Sequence, residues 1–292
     1  MSANQPDRSP GPEADPAAVT KAATQAATEV VTKAPPDGQV LLSREGPVAM
    51  VTFHRPHARN AMTWPMYAEL ARLCDVLDAD SSVRVVVLRG AGQRAFVAGT
   101  DIAEFTEFTD AADGVAYERR LVAILDRLES LTVPTVAAVR GWATGGGMAI
   151  ASSCDLRVCT PDSRFAVPIA RTLGNCLSMA TYWRLVHLLG ASRTAQLLLL
   201  ASELDAPTAL ACGYVARVAT ERSLDDEVRD VCERLLGHAP LTIAATRQAL
   251  RRIRPADLPD GEDLVAACYG SQDFAEGVRA FLDKRPPHWQ GR

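Results

Sequence analysis

Two glycine-containing turns, each directly after an apolar run, constrain the fold of this chain most. Residues 96–101 are Phe-Val-Ala-Gly-Thr-Asp, and residues 143–148 are Ala-Thr-Gly-Gly-Gly-Met. Three consecutive glycines let the backbone approach a ligand closely, because no Cβ stands in the way. The helix-like stretch after the second turn adds its positive dipole end. Two such turns can aim two backbone N–H groups at one oxygen, so the pattern predicts an oxyanion hole.

Other interpretations of the glycine triplet exist. An isolated Gly-Gly-Gly is typical of a tight turn, and a phosphate-binding loop is a further alternative. The phosphate loop is disfavoured because neither a G-x-x-x-x-G-K-[ST] nor a G-x-G-x-x-G pattern is present. The presence of both turns, in order, favours the oxyanion hole.

Charge and hydropathy restrict the partners. The formal net charge of −4, without a basic block, argues against nucleic acid. No apolar run reaches the roughly 18 residues of a membrane span, and the N-terminus lacks a secretion signal pattern. We therefore expect no membrane association and a cytoplasmic location.

The cysteines argue against a disulfide framework and against a metal site. There are seven, scattered along the chain and without C-x-x-C spacing. An odd, irregularly spaced set is typical of free thiols in a reducing compartment. We expect no bound metal.

Composition and periodicity divide the chain into three regions. Residues 1–37 have almost no large apolar side chains and are predicted to be a disordered tail. Residues 38–220 are predicted to be an α/β core, since strand and helix patterns alternate there. Residues 221–292 are helical in pattern and form a predicted C-terminal region.

The α/β core prediction depends on a few elements. Two apolar runs within residues 40–53 predict a β-hairpin. Val83–Leu88 and Thr135–Val139 are continuous β-branched runs, as in parallel strands that are buried on both faces. Helices are predicted at 64–77, 113–131, 178–189, 191–200, 205–212, 222–237, 240–253 and 273–284. So many helices after the core need a packing partner, and an oligomer interface is one candidate.

The ordered set of motifs resembles the crotonase superfamily, also called the enoyl-CoA hydratase/isomerase family, over roughly residues 38–290. The matching segments are 51–56 with 60–62, 85–92, 95–101, 139–147, 154–157 and 276–286. The resemblance implies a crotonase-like spiral of ββα units with a C-terminal helical region. It also implies trimers or pairs of trimers, with residues 221–292 as the trimerisation region, and a coenzyme A thioester as substrate.

The resemblance further implies site residues. The oxyanion-hole donors would be the N–H groups of Ala98 and Gly146. The adenine end of coenzyme A would lie near Arg59, Ala98 and Ile102. Coenzyme A enters as part of the substrate, so no separate cofactor is expected. The remaining expected substrate contacts are Gly99, Thr100, Asp101, Gly145, Asn175, Cys176 and Ser178.

This chain departs from the resembling hydratases at two positions. Those enzymes carry one glutamate two residues after the glycine triplet and another directly after the proline of an F-x-x-P segment. Here these positions hold Ala149 and Ile169, and an apparent extra residue allows Ala170 as the second. Adding water to an enoyl double bond needs one group to activate water and another to protonate the α-carbon. The sequence therefore does not predict ordinary hydration.

Two glutamates are candidates for replacement acid/base groups. Glu104 and Glu107 follow the first turn and are the candidates, although a solvated helix face explains them as well. Asn175 and Ser178 can orient water but carry protons poorly near neutral pH. Cys176 has no nearby His or Lys in sequence and is expected to be an inert buried thiol.

Several functions stay open at this point. The first is an acyl-CoA lyase or isomerase with a relocated acid/base. Decarboxylation of a malonyl-type thioester needs less machinery, since departing carbon dioxide leaves the enolate behind. A non-catalytic acyl-CoA-binding protein and a hydrolase are further alternatives. Asp155 is predicted to be a structural hydrogen-bond acceptor rather than a catalytic acid.

Overall fold

The computed structural model describes residues 37–220, 222–255 and 257–292. The predicted disordered tail, residues 1–37, lies outside this part except for its last residue. The described chain contains two mixed β-sheets and surrounding helices.

The first sheet has six strands in the order β1-β2-β3-β5-β7-β10. All its neighbouring pairs are parallel except the hairpin β1–β2, which confirms the predicted hairpin. The strands are β1 Gln39–Glu45, β2 Val48–His54, β3 Val85–Gly90, β5 Thr135–Val139, β7 Leu156–Cys159 and β10 Arg217–Val218.

The second sheet has four short strands in the order β4-β6-β8-β9. The pairs β4–β6 and β6–β8 are parallel, and β8–β9 is antiparallel. The strands are β4 Ala95–Val97, β6 Trp142–Thr144, β8 Arg164–Ala166 and β9 Glu203–Asp205.

Helices follow the strands and dominate the last third of the described chain. Two short 3-10 segments span Pro56–Ala58 and Ile102–Glu107. The α-helices are α1 Trp64–Ala79, α2 Ala111–Glu129, α3 Gly146–Ser152, α4 Ile169–Thr172, α5 Met179–Leu189, α6 Ala191–Leu199, α7 Ala206–Ala211, α8 Leu224–Leu236, α9 Pro240–Ile253, α10 Glu262–Tyr269 and α11 Gln272–Leu282.

A strand–strand–helix unit repeats three times, which confirms the predicted spiral. β3, β5 and β7 join the first sheet, the strands that follow each of them join the second, and a helix comes next. In the second sheet β4 and β6 lie side by side, and a glycine-containing turn follows each of them. This pairing brings the two glycine-containing turns together.

Helix α10 is missing from the sequence prediction. Its eight residues give little more than two turns, too few for a clear period of apolar residues. Val265 and Tyr269 of α10, and Phe274 and Val278 of α11, are nevertheless buried in the same core as the sheets. Within the described ranges, no helix has the length and apolarity needed to cross a membrane.

Candidate active site

The first glycine-containing turn continues β4 and is held by the loop before α1. Met62 N–H donates to the Gly99 carbonyl and Asp101 N–H donates to the Met62 carbonyl, both at 2.8 Å. The Gly99 carbonyl and the Thr100 N–H belong to one planar trans peptide and point in opposite directions. Because that carbonyl faces Met62, the Thr100 N–H faces away from it.

The second turn precedes α3. The Gly145 carbonyl accepts from Ala149 N–H at 3.0 Å and so points into the helix. The Gly146 N–H, on the opposite side of that peptide, points out of the helix N-terminus. Gly145 has a φ of 51°, in the region that favours glycine.

The two turns meet at Gly146. A Cβ on Gly146 would lie 2.5 Å from the Tyr67 hydroxyl, 3.3 Å from Thr100 Oγ1 and 3.6 Å from Thr100 N. Only glycine fits there without displacing a neighbour. Within residues 37–220, 222–255 and 257–292, neither the Thr100 N–H nor the Gly146 N–H has an acceptor. Two open donors thus lie beside each other.

The structure corrects one predicted donor. The Ala98 N–H donates to the Arg59 carbonyl at 3.1 Å, so it is not free to bind a substrate oxygen. Thr100, two residues later, has the open N–H instead. The sequence prediction of Ala98 was wrong because a turn's residues do not reveal which peptide faces the neighbouring loop.

A chain of buried hydroxyls supports Thr100. Thr100 Oγ1 lies 2.9 Å from the Tyr67 hydroxyl and 2.7 Å from the Tyr117 hydroxyl. Burial raises the pKa of both tyrosines well above the usual value, so both stay neutral donors. The network fixes the Thr100 side chain, and the bond from the Met62 N–H to the Gly99 carbonyl fixes the peptide that carries the Thr100 N–H.

A cavity of about 490 Å³ opens beside these donors. Ala149 and Ile169 line it as well, so both hydratase positions present apolar side chains to the cavity. Trp142 and Phe281 contribute aromatic surface. The predicted site residues that line the cavity are Arg59, Ala98, Gly99, Thr100, Asp101, Ile102, Gly145, Gly146 and Asn175.

Hydrogen bonds of Asn60 anchor the loop that carries Arg59. Asn60 is fully buried; its Nδ2 donates to the carbonyls of Ala91 and Ala95, at 2.9 and 2.8 Å. Its Oδ1 accepts from the Arg55 N–H at 3.0 Å. Arg55 in turn forms an ion pair with Asp101 at 2.6 Å. Arg59 itself is exposed at the cavity mouth.

The two predicted acid/base candidates do not line the cavity. Glu104 accepts from Trp64 N–H at 3.3 Å and so caps the start of α1. Glu107 is exposed at the end of its 3-10 segment. The absence of both glutamates from the cavity lining argues against the acid/base role predicted for them.

Two other predicted substrate contacts, Cys176 and Ser178, do not line the cavity either. Cys176 is buried, and burial raises the pKa of its thiol, which agrees with the inert thiol predicted. Ser178 uses its Oγ to cap α5, and its N–H donates to a carboxylate that the sequence prediction overlooked.

That carboxylate is Glu118, on α2. It lines the cavity, yet the residue is only 4% exposed. Its Oε1 accepts from the Tyr269 hydroxyl at 3.0 Å and its Oε2 from the Ser178 N–H at 2.9 Å. Burial raises the pKa of Glu118 from 4.5 to about 7. Glu118 can therefore gain and lose a proton near neutral pH.

The sequence did contain a signal for Glu118. On a helix, position 118 shares a face with Leu121 and Leu125, three and seven residues later, and both are buried. A carboxylate within an apolar stripe is unusual, because burying a charge is costly. Helical periodicity over residues 113–131 could have identified it.

Asn175 extends the polar part of the cavity. Its Nδ2 donates to the Tyr269 hydroxyl at 3.0 Å, so the hydroxyl's own proton is directed at Glu118. Asn175 Oδ1 is buried and has no partner among the described residues. This oxygen is therefore an open hydrogen-bond acceptor at the cavity wall.

Asp155 has the structural role predicted for it. Its Oδ2 accepts from the Thr135 N–H and hydroxyl at 2.7 and 2.8 Å. It also pairs with Arg247 of α9 at 2.7 Å. Asp155 is absent from the cavity lining.

The fold and the paired turns agree with the comparisons with known proteins. The family model for enoyl-CoA hydratase/isomerase matches residues 43–292. The chain therefore belongs to the enoyl-CoA hydratase/isomerase family, the crotonase superfamily.

Two curated relatives and two solved structures illustrate the range of activities named among similar proteins. The chain is 32% identical to the short-chain-enoyl-CoA hydratase of Clostridium acetobutylicum over 250 residues, covering 84% of this chain and 95% of that one. It is 32% identical to the carnitinyl-CoA dehydratase of Citrobacter koseri over 260 residues, covering 86% and 97%. An enoyl-CoA hydratase/carnithine racemase structure from Magnetospirillum magneticum has a TM-score of 0.71 at 32% identity, covering 87% and 96%. A methylmalonyl-CoA decarboxylase in complex with 2-nitronate-propionyl-CoA has a TM-score of 0.79 at 26% identity, covering 87% and 99%.

Proposed function

We propose that this protein is an acyl-CoA enzyme that stabilises the enolate of a thioester between the N–H groups of Thr100 and Gly146. One observation carries the proposal: these two N–H groups lie beside each other at the cavity, and neither has an acceptor in the described part of the chain. Membership of the enoyl-CoA hydratase/isomerase family supports a coenzyme A thioester as the ligand. Coenzyme A is then part of the substrate, and Arg59 at the cavity mouth suits its phosphates.

The chemistry follows from charge development. When a bond at the α-carbon breaks, its electron pair moves into the thioester and negative charge grows on the carbonyl oxygen. Fixed donors aimed at that oxygen stabilise the charge without reorganising. Each such donor contributes about 2.7–4 kcal/mol to transition-state stabilisation in other enzymes.

Ordinary hydration is not the reaction we propose. Ala149 and Ile169 line the cavity at the two hydratase positions, and neither can activate water. A reaction that moves a proton at the α-carbon, as in isomerisation, needs fewer groups. Several relatives are named hydratases, but we do not propose that reaction for this chain.

Decarboxylation of a malonyl-type thioester is the second candidate. The observation that favours it is the 0.79 TM-score to methylmalonyl-CoA decarboxylase, together with apolar side chains at the hydratase positions. Loss of carbon dioxide leaves its bonding electrons behind as the enolate, so no base has to remove a C–H proton.

A labelled thioester tests the proposed site before any turnover. We expect butyryl-CoA with ¹³C at its carbonyl to bind, and the carbonyl resonance to move downfield because two donors polarise it. Incubation with a 3-enoyl-CoA and with methylmalonyl-CoA, followed by mass spectrometry, then separates isomerase from decarboxylase. Binding without a carbonyl shift and without turnover would leave only a binding protein.

We also propose that the protein is a cytoplasmic homotrimer or a pair of trimers. Helix α9 exposes Leu241, Leu250 and Ile253 at 84, 60 and 66%. Exposed apolar side chains on one helix are typical of an interface between subunits. Light scattering after gel filtration should give three or six times the chain mass of 31.3 kDa. Leu250→Glu should lower that mass, and a monomeric wild-type protein would contradict the assembly.

A further inference from the structure

We propose that Glu118 is the catalytic acid/base of this enzyme, the group that removes a proton from the thioester's α-carbon and returns it. The inference rests on the proposed function and adds the residue that moves the proton. Glu104 and Glu107 are absent from the cavity lining, and positions 149 and 169 are apolar. The other carboxylate in the lining, Asp101, is ion-paired with Arg55 at 2.6 Å, which leaves Glu118 as the carboxyl of the lining without a cationic partner in the described part of the chain.

Position is the first argument. Glu118 lines the same cavity as Thr100 and Gly146. The hydroxyl of Tyr117, its neighbour on α2, is hydrogen-bonded to Thr100 Oγ1 at 2.7 Å. Helix α2 is thus fixed to the turn that presents one of the open donors. A thioester whose oxygen binds at these donors places its α-carbon in the cavity that Glu118 lines.

Two hydrogen bonds hold the Glu118 carboxyl in place and leave part of its capacity to accept protons free. Each oxygen accepts one bond, from the Tyr269 hydroxyl and from the Ser178 N–H. A carboxylate oxygen has two lone pairs, so each oxygen keeps one free to take a proton. The bonds come from different elements, the start of α5 and the end of α10, and they restrict the carboxyl's rotation.

The electrostatic surroundings keep Glu118 titratable. No salt bridge joins it to an arginine or lysine in the described part of the chain, whereas most buried carboxylates are paired. Arg119 pairs with Glu262, and Arg120 packs over the Trp64 ring. The titratable groups that face Glu118 are all neutral at pH 7, because burial raises their pKa values: Tyr67, Tyr117, Cys176, Tyr182 and Tyr269.

The proposed step balances as follows. Ionised Glu118 takes the α-proton; the C–H electrons form the enolate double bond, and the carbonyl π electrons move to the oxygen held by Thr100 and Gly146. Neutral Glu118 then gives a proton back to the γ-carbon for isomerisation of a 3-enoyl thioester, or to the α-carbon. Exchange in D₂O requires that the neutral carboxyl first trades its proton for a deuteron from solvent, which it then delivers to the α-carbon. In decarboxylation, only the second half is needed.

Exchange of the α-hydrogens of butyryl-CoA in D₂O tests the step. We expect Glu118→Gln to slow exchange by about 10²–10⁴-fold, the usual contribution of a general acid/base. Its affinity for butyryl-CoA and the ¹³C carbonyl shift should stay near wild type, because the donors are untouched. Glutamine has the size of the carboxyl but only one accepting oxygen, so one of the bonds from Tyr269 and Ser178 is lost. Circular dichroism and thermal unfolding check that the variant stays folded.

Glu104→Gln is the matched control. It makes the same chemical change on a carboxylate outside the cavity and should leave exchange unchanged. If Glu104→Gln slows exchange as much as Glu118→Gln does, the assignment is wrong.

The pH profile provides a readout that a structural role would not change. Burial raises the pKa of Glu118 to about 7, so wild-type exchange should rise with pH and level off above about 7. The Tyr269 hydroxyl stabilises the ionised form and so lowers this pKa. Tyr269→Phe should therefore move the midpoint of the profile to higher pH, and an unchanged midpoint would contradict Glu118 as the titrating group.

The outcomes separate the two proposals. A normal carbonyl shift with full exchange in Glu118→Gln would overturn Glu118 and leave the oxyanion hole intact. No carbonyl shift in the wild type would overturn the proposed function itself. Loss of exchange in Glu118→Gln with the shift and the folded state preserved would support both.

Discussion

Gly146→Pro is expected to slow α-proton exchange by about 10²–10³-fold while the folded protein still binds coenzyme A. Gly146 is the first residue of α3, where the N–H takes no part in helix hydrogen bonding. Proline is well accepted at this helical position, so the substitution removes mainly the donor. Removing one such donor lowers turnover about 10²–10³-fold in other enzymes.

One steric contact has to be removed before Gly146→Pro can be tested. A Cβ at position 146 would lie 2.5 Å from the Tyr67 hydroxyl. The Pro variant is therefore best made in a Tyr67→Phe background, with Tyr67→Phe alone as the reference. The rate of butyryl-CoA exchange is then compared between the two, with circular dichroism to check folding and calorimetry to measure coenzyme A affinity.

A second observation strengthens this test. Both the rate and the ¹³C carbonyl shift should fall together, because one donor is responsible for both. Gly237→Ala serves as a glycine control, since its Cβ would meet atoms only at 3.5 Å and beyond, far from the cavity lining. Unchanged exchange in the Pro variant would eliminate Gly146 as a donor.

Asp155→Ala is expected to destabilise the protein by about 1–3 kcal/mol, because Arg247 loses its ion-pair partner and the Thr135 N–H loses its acceptor, whereas Asp155 itself is partly exposed to solvent. Arg247 is largely buried, and its side chain also donates to the carbonyls of Leu131 and Glu129. It is the one buried residue of α9, so the Asp155 pair and these hydrogen bonds hold that helix to the core. Urea denaturation at pH 7 measures the change in the free energy of unfolding.

A double variant tests the mechanism of that loss. Arg247→Met in the Asp155→Ala background removes the unpaired cation and should recover part of the lost stability. If the double variant is less stable than Asp155→Ala by the full effect of a single Arg247→Met substitution, the two side chains are not coupled. Exchange activity per folded molecule should be kept in both, because neither residue lines the cavity.

Much of the fold could be predicted from the sequence. Apolar runs such as Thr135–Val139 are buried strands here, and Pro240–Ile253 is a helix with the predicted bounds. These elements have local causes: β-branched side chains favour the extended chain, and Pro240 at the first helical position favours a start there. The order of the motifs also predicted the family and its spiral of repeated strand–strand–helix units.

The site was predicted only in part. The glycine triplet and Gly146 follow from the need for backbone without a Cβ, which is a property of the residue type. The choice between Ala98 and Thr100 depends on which peptide faces the loop at Arg59 and Met62. Those partners lie about forty residues earlier in the chain, and turn sequence alone does not specify that pairing.

What the sequence by itself determined is therefore the succession of strands, helices and turns and the family, because these depend on periodicity, local conformational preference and motif order. The tertiary structure alone decided which amide stays open and which carboxyl reaches the cavity. Both depend on long-range packing: α2 lies against α10 and the start of α5, so that Glu118 loses water but gains Tyr269 and Ser178 as donors. Burial of this kind sets the proton affinity of a group, and it exists only once the chain has folded.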